Sequence, residues 1–334
     1  MNVQELNRVA RAIVEDGKGI LAADESTSTI EKRLAKINLP STEENRRAYR
    51  EMLFTTPGFG EYISGVILYD ETIRQSASDG RSFIKVLEEA GVMPGIKVDE
   101  GTVPMDNSPD EKNTKGLAGL PQRLAEYFTM GAEFAKWRAV YIISETLPSE
   151  ANIRQNAQDL AEYAMACQEA GIVPIVEPEV LMDGPHSMAR CEDVSRQVLK
   201  AVFEEIKNAG VALEGMILKT NMIVPGSESG EKATPEQIAE ATLRVFHDVL
   251  PDELPGQAFL SGGQSEIEAT ANLNAMNARG PHPWKLTFSY GRALQDSALK
   301  TWGGKQENVS AAQQVFLKRA QMNSLAARGE YFGE

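Results

Sequence analysis

Positive charge, histidine and cysteine are all scarce in this chain. Its 48 aspartates and glutamates outnumber its 34 lysines and arginines, for a formal net charge of −14 over 334 residues. An acidic surface favours solubility and repels phosphate backbones and anionic headgroups, so neither nucleic acid nor a membrane is expected as a partner. A local basic pocket for a small anion is still compatible with that balance. The only two cysteines, Cys167 and Cys191, sit far apart in helical patterns. Two thiols in a chain this long read as reduced and structural, and the compartment as cytoplasmic. The three histidines, His186, His247 and His282, show no His-x-His or His-x-x-x-His spacing, and none ends a strand pattern. A zinc site needs several nitrogen or sulfur ligands that converge, so no metal is expected, and no cofactor motif appears. No apolar run reaches the ~18 residues of a membrane span. The opening MNVQELNRVARAIVEDGKG lacks the apolar core of a signal peptide and reads as an amphipathic helix over about 1–16. No low-complexity linker divides the chain and no fixed-period repeat is visible, so residues 1–334 are expected to form a single domain.

Eight apolar, β-rich runs bounded by Gly, Pro or Asn are present. They are GILAADE from Gly19, SGVILYD from Ser64, MPGIKVD from Met93, FAKWRAVYII from Phe134, IVPIVEPE from Ile172, EGMILKTN from Glu214, QAFLSGG from Gln257 and WKLTFSYG from Trp284. Helix-period segments with one charged face separate most of them, among them TEENRRAYREMLF and TPEQIAEATLRVFHDVL. Capping signals open several, at Thr42 before Glu43 and at Thr234 before Pro235. Gly91, Gly131 and Gly171 close others. Near-continuous apolar strands alternating with helices imply a parallel sheet buried on both faces. Eight such units imply an α/β fold, a (β/α)8 TIM barrel. The rival, an open doubly wound sheet, would favour a Gly-x-Gly-x-x-Gly turn after the first strand, where this chain has AADEST. Two stretches, 103–116 and 224–233, read as loops on the barrel's active face.

In such barrels the chemistry lies at the C-terminal strand ends, and the polar residues fall there. The ends carry Asp24, Glu25 and Ser26; Lys97 and Asp99; Lys136 and Arg138; Glu177 and Glu179; Lys219 and Asn221; Ser261, Gly262 and Gly263; and Ser289, Tyr290, Gly291 and Arg292. Strand period two places Lys136 with Arg138, and Glu177 with Glu179, on common faces. Pro178 stiffens the backbone between the two glutamates. Burial and neighbouring cations lower a lysine pKa, and a neutral amine attacks a ketone to form a Schiff base, whose iminium stabilises an adjacent carbanion. Lys97, Lys136 and Lys219 are all candidates. Lys136 has Arg138 on its own face, which would favour the neutral amine, whereas Lys219 follows Met-Ile-Leu, the driest context, and is preferred. Gly262, Gly263 and Gly291 let backbone N–H groups approach an oxyanion, and Arg292 adds a forked cation. Ser26, Thr29 and Arg33, in a stretch that opens a short helix, mark a second anion site. Two anion sites flanking an amine suggest a ketose with two phosphates. Plainer readings stand beside these: a buried ion pair for a barrel lysine, rim hydrogen bonds for the glutamates, a tight turn for SGG and a helix cap for Asp24.

The stretches GKGILAADEST, TEENRRAYR, GVILYDET, GIKVD, FAKWR, GIVPIVEPEVL, EGMILKTNM, FLSGGQSE, LTFSYGRALQ and SALKTWGGK run almost end to end. On these residues the chain resembles class I fructose-bisphosphate aldolases. The resemblance implies reversible cleavage of fructose 1,6-bisphosphate to dihydroxyacetone phosphate and glyceraldehyde 3-phosphate, without metal, in glycolysis and gluconeogenesis. It implies that Lys219 forms the Schiff base, Glu177 moves protons, Asp24 deprotonates the C4 hydroxyl, Lys136 orients and polarises the substrate, and Glu179 tunes the lysines. It implies Ser261, Gly262, Gly291 and Arg292 at the phosphate near the ketone, and Ser26, Thr29, Arg33 and Lys97 at the far one, with Arg138 and Ser289 also on the substrate. Thr29 stands where many members have serine, and the hydroxyl is kept. The resemblance also implies a cytoplasmic homotetramer. Many members end in a tail with a terminal tyrosine; this chain is expected to lack it, since Tyr331 in GEYFGE aligns before the tail. Two rivals keep their place at this point: a Schiff-base aldolase for another phosphorylated sugar, and a non-catalytic binder on the same barrel.

Overall fold

The apolar runs become strands whose two faces are both covered, which is why they read as near-continuous rather than alternating. The computed structural model describes residues 1–334. Its strands are β1 (Gly19–Ala23), β2 (Ile63–Leu68), β3 (Met93–Lys97), β4 (Thr102–Met105), β5 (Ser108–Thr114), β6 (Phe134–Tyr141), β7 (Val173–Val180), β8 (Ile217–Thr220), β9 (Gly256–Phe259) and β10 (Lys285–Tyr290). All but β4 and β5 close into one barrel in the order β1-β10-β9-β8-β7-β6-β3-β2, and the pairs around the ring are parallel. Each of the eight expected runs overlaps one barrel strand, which extends past the run by at most one residue at either end, and the doubly wound alternative is excluded because the ring has no free edge.

Three helices bear directly on the interior and its mouth: α1 (Val3–Ile13), α2 (Thr27–Ala35) and α3 (Glu43–Phe54). Thr42 caps α3 by accepting from Asn45 N, and Thr234 forms a capping box with Gln237 on the helix Pro235–Val249. These caps satisfy N–H groups that have no partner inside the helix.

Two cores result. The larger, of 79 buried residues, fills the layer between strands and helices. The smaller, of 13, lies inside the barrel and includes Leu6, Val9, Ala10 and Ile13 of α1 together with Ile20, Ile67, Phe134, Val173, Ile175, Ile217 and Ala258. Because α1 joins that inner cluster and its Asn7 donates to Glu214 O at 2.9 Å, it plugs the N-terminal end of the barrel. Phe134 fills the space above it. A Cβ at Gly95 would lie 2.1 Å from the Phe134 ring, and one at Gly65 2.8 Å from it. The two glycines make room for one large side chain, the interdigitation that close packing demands.

One expectation is corrected here. The stretch 103–116 is not a plain loop: β4 and β5 pair as an antiparallel hairpin. Its polar sequence has no apolar alternation to announce a strand, because partners elsewhere in the fold hold it. Glu111 is 1% exposed and accepts from Ser149 N and Ser149 Oγ, each at 2.7 Å. Asn152 and Asn156 donate to Lys112 O at 2.9 and 3.0 Å. The other stretch, 224–233, contains no helix or strand.

Candidate active site

Strand register builds the site before any side chain is considered. Gly95 pairs with Phe134 and Lys97 with Lys136 across β3 and β6. Ile175 pairs with Ile217 across β7 and β8. Two residues further along both of the latter strands, the same face presents Glu177 and Lys219. The apolar floor of the barrel therefore gives way, within one pleat, to a layer of ionisable groups.

Lys219 Nζ lies 3.1 Å from Glu177 Oε1. Lys136 Nζ lies 2.7 Å from Asp24 Oδ2, 3.3 Å from Glu177 Oε2 and 3.6 Å from Asp99 Oδ2. Lys97 Nζ lies 2.5 Å from Asp99 Oδ1. The side chains of Lys136, Lys219 and Glu177 are each only 4% exposed, so these charges interact in a medium far less screening than water. Burial disfavours the Lys136 ammonium, but Asp24, Glu177 and Asp99 overcome it and raise that lysine well above the ordinary range. Burial also works against the Asp24 carboxylate, and there Lys136 and then Lys219 prevail, holding it well below the ordinary carboxylate range. Arg138 does not push Lys136 toward the neutral amine, as its place on the same face suggested. Its guanidinium is engaged by Glu179, and three carboxylates from other strands surround the ammonium. Lys219, by contrast, meets a single carboxylate.

Backbone and side-chain bonds hold β7 against β8 at this level. Pro178 brings no N–H to the ladder; its carbonyl accepts from Thr220 Oγ1 at 2.9 Å. Asn221 Oδ1 accepts from Val180 N at 2.9 Å. The residues on either side of Glu179 are thus tied to the two that follow Lys219.

These groups form one wall of a cavity of about 1200 Å³ in which only 5 of 32 lining residues are hydrophobic. That lining suits a charged, hydroxylated ligand rather than an apolar one. Among the residues singled out from the sequence, Asp24, Ser26, Thr29, Arg33, Lys97, Lys136, Arg138, Glu177, Glu179, Lys219, Ser261, Gly262, Ser289, Gly291 and Arg292 line it, whereas Gly263, Asn221 and Tyr290 do not. Two helix N-termini meet there, with Ser26 at the N-cap position of α2 and Gly291 at that of the helix Arg292–Trp302, neither bonded by a capping side chain, and both favour anions. Ser26 Oγ lies 3.1 Å from Thr29 Oγ1 and 3.3 Å from Ser28 Oγ, a hydroxyl cluster at the start of α2. Ser289 Oγ is buried and has no hydrogen-bond partner. Gly262 takes φ +53, the left-handed region that glycine enters at least cost. A Cβ at Gly291 would stand 3.3 Å from Arg33 Nη2, so the two anion sites are neighbours across the β1–β10 seam.

Sequence reasoning missed part of the lining. Lys32, in α2, and Lys36, at its C-cap one turn further on, reach the same cavity, as do Arg74 and Arg123; helical spacing could have flagged the two lysines. Asp99 received no role, although period two from Lys97 aims it the same way. Glu25 accepts from Arg50 at 2.5 Å and also from Arg33, anchoring a cavity arginine, a link no sequence spacing reveals.

The family model "Fructose-bisphosphate aldolase class-I" matches residues 5–334. The chain is 55% identical over 330 residues to the cytoplasmic isozyme of fructose-bisphosphate aldolase from Spinacia oleracea, covering 98% of this chain and 92% of that protein. It is 54% identical over 333 residues to fructose-bisphosphate aldolase from Dictyostelium discoideum, covering 99% and 93%. Its fold is similar to a solved structure of fructose-bisphosphate aldolase from Plasmodium falciparum, in complex with TRAP and a small-molecule inhibitor. The TM-score is 0.98 at 50% identity over 99% of this chain and 96% of that one.

Proposed function

The chain belongs to the class I fructose-bisphosphate aldolase family and is a lyase of glycolysis that acts on a sugar phosphate; from that premise we propose that Lys219 carries the reaction as a Schiff base. The observation behind this reading is the asymmetry between two buried lysines that share one glutamate. Lys136 is clamped by three carboxylates, and Lys219 touches one.

The roles of the two lysines follow from that asymmetry, and the remaining roles are those the family resemblance implies. Glu177, 3.1 Å from Lys219 and 3.3 Å from Lys136, takes a proton from the Lys219 ammonium and frees the amine. The amine attacks the C2 ketone, Glu177 returns a proton to the departing hydroxyl, and water leaves as the iminium forms. Asp24, held ionised by Lys136 and Lys219, accepts the C4 hydroxyl proton. The C3–C4 bond breaks, its electron pair moves into the iminium, and glyceraldehyde 3-phosphate departs. Protonation of the enamine at C3 and hydrolysis release dihydroxyacetone phosphate. Lys136 remains cationic and polarises the substrate oxygens, and Glu179 holds Arg138 at the rim. Ser261, Gly262, Ser289, Gly291 and Arg292 cradle the ketone-side phosphate, and Ser26, Thr29, Arg33 and Lys97 the far one.

Borohydride reduction with dihydroxyacetone phosphate, followed by peptide mapping, tests the reading. Label is expected on Lys219. Label on Lys136 alone, or turnover abolished by EDTA with no label, would overturn it. We further read the chain as one domain and as a homotetramer, on the strength of the family resemblance. The cytosolic and cytoplasmic names of relatives support a cytoplasmic location. Light scattering of the purified protein tests the assembly.

A further inference from the structure

Of the carboxylates around Lys136, Asp99 is the one that also touches a lysine of the phosphate set. Its Oδ1 lies 2.5 Å from Lys97 Nζ and accepts from Gly101 N at 3.3 Å. Its Oδ2 lies 3.6 Å from Lys136 Nζ, is buried, and has no hydrogen-bond partner. Lys97 Nζ also donates to the Asp99 carbonyl, which holds the ammonium close to its own turn. The residue is 8% exposed and lines the cavity, and Lys97 and Lys136 are register partners on adjacent strands.

We propose that Asp99 is a positioning residue that couples occupancy of the far phosphate cradle to the reaction centre, and so sets the preference for ketoses that carry a second phosphate. The proposal rests on the site reading given above. A single carboxylate divided between two ammoniums cannot serve both at full strength. A ketose bisphosphate brings an anion to Lys97, which weakens the hold of that lysine on Oδ1. The carboxylate then turns toward Lys136, where one oxygen already stands without a hydrogen bond, and fixes that ammonium for C–C cleavage. A ketose monophosphate leaves Lys97 on Oδ1, and Asp99 stays divided. The coupling needs no movement of strands, only rotation of one short side chain that releases the 3.3 Å bond from Gly101 N, in a backbone held on either side by Val98 N donating to Lys136 O and Glu100 N donating to Lys115 O.

The test is steady-state kinetics of the full-length enzyme on fructose 1,6-bisphosphate and fructose 1-phosphate, for wild type, Asp99→Asn and Asp99→Glu. The ratio of kcat/KM for bisphosphate over monophosphate is expected to fall on the order of tenfold in Asp99→Asn, within the usual range for coupled sites. The loss should fall mainly on kcat for the bisphosphate, and Asp99→Glu should recover part of the ratio. A purely structural role would lower both substrates equally, and an unchanged ratio in both variants would overturn the proposal. Should Asp99→Asn not fold, Asp99→Glu alone decides, because moving the carboxylate by one methylene must then shift the ratio. Borohydride labelling separates the two readings. Label on Lys219 in every variant with an unchanged ratio sinks the coupling alone, whereas no label in wild type sinks the Lys219 assignment and the coupling with it.

Discussion

Strand β6 crosses both ends of the barrel in a few residues. At its start Phe134 fills the interior against two glycines and the residues of α1. Two residues on, Lys136 meets three carboxylates, and two further Arg138 meets Glu179. The lower end is held by volume: apolar side chains that fill space, where any deletion leaves a void. The upper end is held by charge, where each ammonium withstands burial only because carboxylates from other strands reach it. Packing at one end tolerates no gap. At the other, an open cavity is what lets a substrate replace the ion partners. Substitutions at the two ends should therefore separate stability from activity.

The largest effect expected is at the upper end. Lys219→Ala should lower turnover of fructose 1,6-bisphosphate by about 10⁴-fold or more, as loss of a covalent nucleophile does, and a coupled triose-phosphate assay measures it. The thermal midpoint should move little, because Glu177 keeps Lys136 as a partner. At the lower end the pattern should reverse. Phe134→Ala should destabilise the fold by roughly 3–5 kcal/mol, measured by denaturant unfolding, with KM of the folded fraction near the wild-type value.

Asp24 should link the two ends through pH. Its carboxylate is depressed in the native protein, so its contribution to stability is present above the unfolded value near ~4 and is lost as pH falls through the lower native one. The stability gap between wild type and Asp24→Asn should be widest near neutral pH and close progressively below about pH 4. Lys136 has the opposite sign. Its raised native value adds stability that is complete below the unfolded value near ~10.4 and is lost as pH rises through the native one. Unfolding curves across pH measure both. The smallest effect expected is at Gly262. With φ at +53 and a Cβ that would meet Leu260 Cδ1 at 3.2 Å, Gly262→Ala should cost about 1 kcal/mol. It should raise KM for the phosphorylated substrate while leaving borohydride labelling of Lys219 intact.

Much of the fold could be read from the sequence, because buried parallel strands must be apolar throughout and helices must cap their ends, as at Thr42 and Thr234. The hairpin at 102–114 could not. It is polar, and it is held by Glu111 reaching Ser149 and by two asparagines of the helix Glu150–Glu169. The residues of the candidate site were visible as polar side chains closing apolar runs. Their pairings were not: Glu25 between two arginines, Asp99 between two lysines, and Arg138 taken up by Glu179 rather than acting on Lys136.

By itself the sequence determined which residue types stand at each strand end, and hence that amines, carboxylates and glycine-rich anion sites share one face of a closed sheet. Only the tertiary structure decided which of them are paired. Coulomb interaction depends on separation and burial, and the three carboxylates that keep Lys136 charged come from three separate segments of the chain. Local sequence could therefore rank Lys219 above Lys136 only by the dryness of the run before it, and only the assembled barrel surrounds Lys136 with three carboxylates and leaves Lys219 with a single partner.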